Sequence, residues 1–381
     1  MKFDVAVIGG GLAGLSLAIQ LAGAGHSVVL LEKEKYPFHK VCGEYISMEA
    51  WGFLEGLGLP LASLQLPRIH ELELTAPDGT AFTTELPLGG FGISRYTIDH
   101  LLVARARAVG VEVLEETRVE QVERREGGFC LQLSSRQQPG LKEVQATLCG
   151  GAWGKRGNLD LKWKRAFVQK ARPQRDHYIA VKYHVRSGWP AHRIGLHNFS
   201  DGYCGISRVE GDTCCLCYLT TAQNLRRSGN AIPRMEQEIL FQNPALREVF
   251  AQSQVVGGFP VTISQVSFQK KTLVEEGVLM VGDTAGLITP LCGNGMSMAL
   301  HSSKLAAAWM RRFLQQRISR AAMEQGYRAD WQAAFSARMQ AGRLLQRFFG
   351  SPRLSNGFVR FFRTFPFLAR AVIRKTHGKP F

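Results

Sequence analysis

The sequence predicts an α/β protein with three parts: a unit built on a parallel sheet, a second lobe of mostly antiparallel strands, and a helical C-terminal region. Apolar runs rich in Val and Ile at residues 3–8 and 278–281 are typical of strands buried on both faces of a parallel sheet. Between them, residues 178–261 contain short segments in which apolar and polar side chains alternate, as in antiparallel strands. From residue 296 onward the apolar spacing becomes helical.

The first strand ends in a glycine turn, Gly9-x-Gly11-x-x-Gly14. In such a turn the first glycine permits the tight bend, the second lets a pyrophosphate approach the backbone, and the third lets a helix lie close to the strand. A helical pattern over residues 15–24 follows, and free N–H groups at its start would face the phosphates. A second strand ends at Glu32, whose carboxylate can accept hydrogen bonds from ribose hydroxyls. The order of these elements predicts a Rossmann-like dinucleotide site, whereas a glycine turn in an ordinary βαβ unit would not need the acid.

A second motif lies about 270 residues later. The strand at 278–281 is followed by Asp283, and Gly293-Asn294-Gly295 precedes a long helix that we expect to begin at Met296. Glycines there bring the backbone close to a ligand at the helix start. The structural alternative is a strand-turn-helix in which the Asp only caps.

The remaining pattern predicts the organisation of the chain. We expect a hairpin over residues 72–82, a second hairpin formed by 129–134 and 143–148, and one helix near 234–240 within the antiparallel lobe. The resulting assignment gives 1–66, 92–165 and 265–335 to a discontinuous nucleotide-binding domain, 67–91 and 166–264 to the substrate lobe, and 336–381 to a basic helical C-terminal region.

Composition narrows the class of protein. A chain of 381 residues with 45% hydrophobic residues is that of a folded protein, not of a disordered or multi-span membrane protein. The N-terminal apolar run contains Asp4 and is interrupted by glycines, which argues against a signal peptide and for a cytoplasmic protein. The net charge of +16 favours an anionic partner.

Cysteine usage predicts reduced thiols and no metal site. The cysteines are scattered, without paired zinc-type spacing, and the group at 214–217 lies in an apolar strand-like run. They are Cys42, Cys130, Cys149, Cys204, Cys214, Cys215, Cys217 and Cys292.

These motifs, in this order, resemble FAD-dependent oxidoreductases with the fold of p-hydroxybenzoate hydroxylase. Besides the two glycine motifs, the resemblance rests on Arg95 in Ile-Ser-Arg-Tyr-Thr-Ile-Asp. The segment Lys40-Val41-Cys42-Gly43-Glu44 is similar to the Lys-x-Cys-Gly loop of geranylgeranyl reductases, and residues 202–207 occupy the place of that family's Tyr-x-Trp-x-Phe-Pro motif. The resemblance covers residues 1–345.

The resemblance implies FAD as the cofactor and assigns its contacts. The glycine turn would hold the pyrophosphate, Glu32 the adenosine ribose, and Arg95 and Asp283 the phosphate and ribityl region. The implied cofactor residues are Gly9, Gly11, Leu12, Ala13, Gly14, Glu32, Lys33, Cys42, Gly43, Arg95, Val119, Asp283, Gly293, Asn294, Gly295 and Met296.

Two side chains are candidates for catalysis. Cys42 is either an active-site thiol or a small residue that fills a turn. Tyr203 can protonate or orient a substrate through its hydroxyl, or it can pack in the core. Lys182 and His184 alternate on one strand face, which we interpret as a solvated face.

The sequence also departs from the family pattern. Residues 150–156 lack the acid of the usual Gly-Ala-Asp-Gly motif, so the electron source stays open between NAD(P)H and an external reductase. Gly205 and Ser207 replace the Trp and Phe of the substrate-lobe motif, and the Trp-x-Trp-x-Ile-Pro signature of tryptophan-type halogenases is absent.

The leading hypothesis is flavin-mediated C=C reduction of a hydrophobic isoprenoid, polyene or polyketide-like substrate. A flavin monooxygenase or halogenase on the same fold is the alternative. A non-catalytic lipid-binding protein, like the GDP-dissociation inhibitors, is the alternative from another class.

The basic C-terminal region carries a separate expectation. From Trp331 to Phe381 there is no Asp or Glu, and arginines are interleaved with phenylalanines over 358–368. This pattern favours peripheral association with an anionic membrane, against the alternative that the aromatic residues pack on the protein. No nucleic-acid motif accompanies the charge, so nucleic acid is not an expected partner.

Overall fold

The computed structural model describes residues 1–169, 177–289, 293–346, 351–376 and 378–381, and the side chains of 375 and 376 are not described. It confirms the α/β fold class, with two sheets and a helical C-terminal region. The strands in these ranges are β1 (Lys2–Ile8), β2 (Val28–Leu31), β3 (Tyr45–Ser47), β4 (Arg68–Thr75), β5 (Ala81–Gly92), β6 (Glu112–Leu114), β7 (Thr117–Arg125), β8 (Gly128–Ser135), β9 (Glu143–Gly151), β10 (Tyr178–Arg186), β11 (Arg193–Phe199), β12 (Gly202–Arg208), β13 (Cys214–Thr221), β14 (Gln254–Val255), β15 (Val261–Val266), β16 (Val274–Glu275) and β17 (Val278–Met280).

The α-helices of the same ranges alternate with these strands and dominate the C-terminal third. They are α1 (Leu12–Ala22), α2 (Trp51–Gly56), α3 (Arg95–Ala108), α4 (Asn158–Lys162), α5 (Ala166–Gln169), α6 (Ala222–Arg227), α7 (Ile232–Glu238), α8 (Pro244–Ala251), α9 (Gly295–Leu314), α10 (Arg320–Gln346), α11 (Pro352–Thr364) and α12 (Pro366–Thr376).

The first sheet carries the two glycine motifs. Its strand order is β16-β17-β9-β1-β2-β6, with β1 pairing in parallel with both β2 and β9. Val5 and Val7 are fully buried, in a core cluster that also contains residues of α1 and α9. The predicted hairpin at 129–134 and 143–148 is confirmed as β8 and β9, which pair antiparallel.

The second sheet has the order β14-β10-β13-β12-β11-β4-β5-β3, with β15 also pairing with β10. It is mostly antiparallel, but β4 and β11 run parallel. The predicted hairpin at 72–82 is confirmed as β4 and β5. Strand β3 follows the loop that leaves the first sheet and pairs with β5, so this loop joins the two sheets.

The single helix expected near 234–240 was wrong in number. Three short helices, α6 to α8, follow β13. Met235, Leu240 and Leu246 are fully buried against the back of the second sheet. Each helix has fewer than nine residues, so none spans enough turns to give a clear apolar period.

The cysteines of the described ranges are all free, and Cys214 and Cys215 are buried. Cys292, the remaining cysteine of the sequence, lies outside these ranges, as do Pro290 and Leu291. No helix in the described part of the chain combines the length and apolar content needed to cross a bilayer.

Candidate active site

A cavity of about 240 Å³ lies between the two sheets. One wall comes from the glycine turn, the start of α3 and the segment that leads into α9. The opposite wall comes from β10 to β13 of the second sheet. Of the residues predicted for the site, those that line the cavity are Gly11, Leu12, Ala13, Cys42, Gly43, Arg95, Tyr203, Asp283, Gly293, Gly295 and Met296.

The glycine turn is shaped for close backbone approach. Gly9 has a φ of +101°, and a Cβ there would lie 2.5 Å from the Ala152 carbonyl oxygen. A Cβ on Gly14 would lie 1.9 Å from the Gly9 carbonyl oxygen, so α1 can lie this close to β1 only with glycine. A Cβ on Gly11, in contrast, would meet only Arg95 Nη2, at 3.6 Å. Gly11 therefore opens the start of α1 to the cavity.

Glu32, Lys33 and Val119, which were predicted to contact the cofactor, do not line the cavity. The Glu32 carboxylate accepts hydrogen bonds from the Gly10 backbone N–H at 2.7 Å and from that of Glu34 at 3.0 Å, which holds the glycine turn. Lys33 is exposed and pairs with Glu34 at 3.5 Å. Val119 is buried in the core of the first sheet, and its carbonyl accepts from Asn158 at 2.8 Å.

Arg95 and Asp283 both line the cavity. Arg95, the first residue of α3, forms a two-point ion pair with Asp99, with Nε–Oδ1 3.1 Å and Nη2–Oδ2 2.9 Å, so its guanidinium is fixed in place. Lys40 joins the same carboxylate at 2.9 Å. Lys271 donates to the Asp283 carbonyl at 2.7 Å and fixes the backbone of that segment.

The segment before α9 brings a second helix start to the cavity. Gly293 has a φ of +64°, and a Cβ there would lie 3.2 Å from the Tyr45 ring. Gly295 and Met296 begin the 20-residue helix and line the cavity, whereas Asn294 is fully buried behind them. Free N–H groups at such a start favour negative charge.

The two catalytic candidates lie on different parts of this cavity. Cys42 is half-buried, and its carbonyl accepts a hydrogen bond from the Cys215 thiol at 3.2 Å. Tyr203 lies on β12 in an apolar cluster with Leu219, Val266 and Leu287. Together they place a thiol and a phenol at a wall that is mostly apolar.

The sequence analysis missed a buried charged cluster beside this wall. Glu44 Oε1 lies 2.5 Å from Lys182 Nζ and Glu44 Oε2 lies 2.6 Å from His184 Nε2, with all three residues buried. The Arg95 backbone N–H also donates to Glu44, at 2.7 Å. The expectation that Lys182 and His184 form a solvated face was therefore wrong, because the loop that carries Glu44 covers that face of β10.

This cluster sets the charge of Glu44. Burial alone would raise the pKa of its carboxyl, but the hydrogen bond from His184 and the positive charge of Lys182 hold that pKa below its usual 4.5. Glu44, His184 and Cys215 offer ligand atoms within 4.8 Å of one another. However, the Glu44 carboxylate already pairs with the Lys182 ammonium, and burial raises the pKa of the Cys215 thiol. We therefore interpret the group as an ion-paired cluster and not as a metal centre.

In residues 150–156, an aromatic side chain stands where the Gly-Ala-Asp-Gly motif has its acid. Where relatives of the resembled family carry an acid, Trp153 donates its indole N–H to Asp160 at 3.0 Å. Asp160 is fully buried and pairs with Arg165 at 2.7 Å. Its carboxylate therefore forms an internal ion pair and does not line the cavity. Lys155, three residues before Asn158, does line the cavity.

Comparisons with known proteins agree with this geometry. A family model described as an FAD binding domain matches residues 2–186. The chain is 27% identical to a digeranylgeranylglycerophospholipid reductase of Methanopyrus kandleri over 90% of this chain and 89% of that protein. The chain belongs to the FAD-dependent oxidoreductases. Within them its sequence is similar to those of digeranylgeranylglycerophospholipid reductases.

Solved structures show the same fold for this flavoprotein. A flavin-dependent brominase superposes with a TM-score of 0.79 at 20% identity, over 99% of this chain and 93% of that one. A geranylgeranyl bacteriochlorophyll reductase-like protein of Thermoplasma acidophilum gives 0.78 at 18% identity, over 95% and 91%. The fold is therefore shared by reductases and halogenases.

The residues present fit FAD. The starts of α1 and α9 both face the cavity, and Gly11 leaves open the space that a Cβ would occupy. Arg95 adds a fixed positive charge beside them. This combination is suited to a diphosphate at the α1 end and to negative charge at the α9 end.

Proposed function

We propose that this flavoprotein reduces C=C bonds of a hydrophobic isoprenoid, polyene or polyketide-like substrate. The observation that carries the proposal is the mostly apolar wall of the second sheet, which lines the cavity together with the Tyr203 phenol and faces the loop that carries Cys42. Ile194, Leu196 and Leu219 contribute to that wall. The relatives named as digeranylgeranylglycerophospholipid reductases support it.

The residues of this chain would divide the work. FAD, when bound and reduced, would supply the hydride for one alkene carbon. The Tyr203 hydroxyl or the Cys42 thiol would hold the proton that the other carbon takes up, so that one hydride and one proton add across the double bond. The apolar wall excludes water from this step and orients a chain-like substrate.

Electrons would enter from NAD(P)H bound transiently or from an external reductase. No separate dinucleotide motif accompanies the first one in the sequence, and Trp153 stands where relatives carry an acid. Rapid mixing of the oxidised enzyme with NADH or NADPH would separate the two sources. Fast bleaching of the flavin favours direct use, and slow bleaching that a ferredoxin- or flavodoxin-type donor accelerates favours the external route.

Monooxygenation or halogenation is the second candidate, and the similarity to the brominase favours it. Reduced flavin would then react with O2 before the substrate is oxidised, so oxygen is obligatory. The FAD-binding assignment favours either enzyme over the non-catalytic lipid-binding protein.

Anaerobic reoxidation tests the proposal. The enzyme is reduced with dithionite under argon and mixed with geranylgeranyl lipids or polyenes, and flavin absorbance is followed. Reoxidation without O2, with a product two hydrogens heavier, supports C=C reduction. A flavin that stays reduced with every alkene until O2 is admitted, with oxygenated or halogenated product, contradicts it.

A further inference from the structure

Helices α11 and α12 cover the second sheet with only one face each. Val359, Phe362 and Ala369 are buried and pack with Leu74 and Phe82. Aromatic residues of the region therefore divide into two groups, because those just named face the protein while others face outward.

The outward group forms a continuous apolar patch. Phe361, Phe365 and Phe367 are 45%, 42% and 59% exposed, and their ring centroids follow one another at 5.2 and 6.3 Å. Leu354, 50% exposed, lies seven residues before Phe361 and therefore on the same side of α11. We name Leu354, Phe361, Phe365 and Phe367 the outer aromatic patch.

Exposed arginines lie on the same two helices as this patch. Arg353, Arg363, Arg370 and Arg374 are exposed and form no salt bridge with any described residue. Arg360 differs, since it pairs with Asp78 at 2.7 Å. The sequence from Trp331 onward has no acid that could neutralise the arginines.

The same helices lie against the substrate wall. Leu196 lines the cavity and also packs with the buried cluster of Val359 and Phe362. Ile194 lines the cavity and packs in a cluster that includes Ile373 of α12. The outer aromatic patch is thus on the far side of helices that contact the cavity wall.

We propose that the outer aromatic patch and its arginines dock the enzyme on an anionic phospholipid bilayer. Phenylalanine rings enter the headgroup layer, and the exposed arginines are attracted to anionic lipid. Nucleic acid would be bound through the positive charge alone. Such a partner would not explain why three adjacent aromatic rings are exposed. The inference goes beyond the proposed function and does not depend on the reaction catalysed.

Vesicle co-sedimentation of the full-length holoprotein tests it. The probes are vesicles of phosphatidylcholine with and without phosphatidylserine. The apolar variant is Phe361→Ser/Phe365→Ser/Phe367→Ser, and its control is Leu161→Ser, a residue that is 50% exposed elsewhere. The charge variant is Arg363→Glu/Arg370→Glu, and its control is Arg226→Glu/Arg227→Glu on α6, which makes the same charge change.

If the patch docks on the bilayer, the wild-type protein binds the anionic vesicles. Binding should then fall by at least about tenfold in both patch variants and stay near the wild-type value in both controls. Bound-flavin absorbance and the thermal midpoint establish that each variant is folded. The proposal is overturned if the wild-type protein does not bind the anionic vesicles, or if the control variants lose as much binding as the patch variants. It is also overturned if the protein is retained by duplex DNA and not by vesicles.

Discussion

Tyr203 and Cys42 are the two groups proposed to hold the substrate proton, and a matched set of variants separates them. We expect loss of the true donor, in Tyr203→Phe or Cys42→Ser, to slow anaerobic reoxidation by substrate by about 10²- to 10⁴-fold while dithionite reduction of the flavin is unchanged. Cys217→Ser is the control: Cys217 lines the same cavity, but burial raises its thiol pKa to about 12. Equal rates in all three variants would assign the proton to solvent.

Glu44 is the residue on which the buried cluster depends. Its replacement by Gln leaves the Lys182 ammonium in the interior without its carboxylate partner, and breaking such a pair costs about 3–5 kcal/mol. Adding Lys182→Met should recover much of this loss, because no unpaired charge is then buried. Denaturant unfolding of the two variants and the wild type measures both changes. A loss below about 1 kcal/mol in Glu44→Gln would show that the pair is not buried as described.

The same pair gives a pH dependence with a definite sign. The folded-state pKa of Glu44 is lowered, so its contribution to stability is complete above the ordinary value of 4.5 and is lost as the pH falls through the folded-state value. The stability difference between wild type and Glu44→Gln should therefore shrink on acidification below about pH 4.5. A difference that grows in acid would contradict the assignment of the charge to Glu44.

At the scale of elements, the contact of α1 with β1 decides cofactor binding. In Gly14→Ala the added Cβ would lie 1.9 Å from the Gly9 carbonyl, so α1 must move away from the strand whose end forms the turn. We expect a purified protein that retains little FAD and is about 1–3 kcal/mol less stable. Gly52→Ala on α2 is the control, since its Cβ would meet nothing within 4 Å, and it should keep the flavin. Flavin absorbance after gel filtration reports the outcome.

The α7 helix places Glu236 under the second sheet, where it accepts from Tyr183 at 2.8 Å and Tyr218 at 2.7 Å. Burial raises its pKa, so its contribution to stability is complete below the ordinary 4.5 and declines as the pH rises through the folded-state value. Glu236→Gln keeps an oxygen for both hydroxyls and removes the buried charge. We expect about 1 kcal/mol of added stability at pH 8 and less at pH 4. Equal effects at both pH values would show that the buried carboxyl does not titrate.

Local patterns predicted local elements well. Turn residues located the β4–β5 hairpin, and glycine spacing located the start of α1, because each signal lies within a few residues of the structure it produces. The alternation of Lys182 and His184 showed that they share a face but not what covers it. Their partner, Glu44, is 138 and 140 residues away, and no local period carries that information. Three helices, α6 to α8, were predicted as one because each is too short to show an apolar period.

For the whole molecule, the cavity is a joint product of both sheets. The first sheet and its helices supply two helix starts and Arg95 for the diphosphate, while the second sheet supplies the apolar wall. A cofactor that fills the space between them should stabilise the molecule as one unit. Its diphosphate should matter most, because the groups on the first sheet that face the cavity are suited to negative charge.

Removal and replacement of FAD tests this coupling. The apoprotein should unfold at a lower temperature than the holoprotein, and FAD added at about 100 times its Kd should restore about 2.7 kcal/mol of stability. Riboflavin at the same concentration should restore far less, since it has no diphosphate to meet the start of α1. Differential scanning calorimetry of the three states measures the shift. Equal stabilisation by riboflavin and FAD would show that the glycine turn contributes no binding energy, and no shift with FAD would mean that the cavity is not its site.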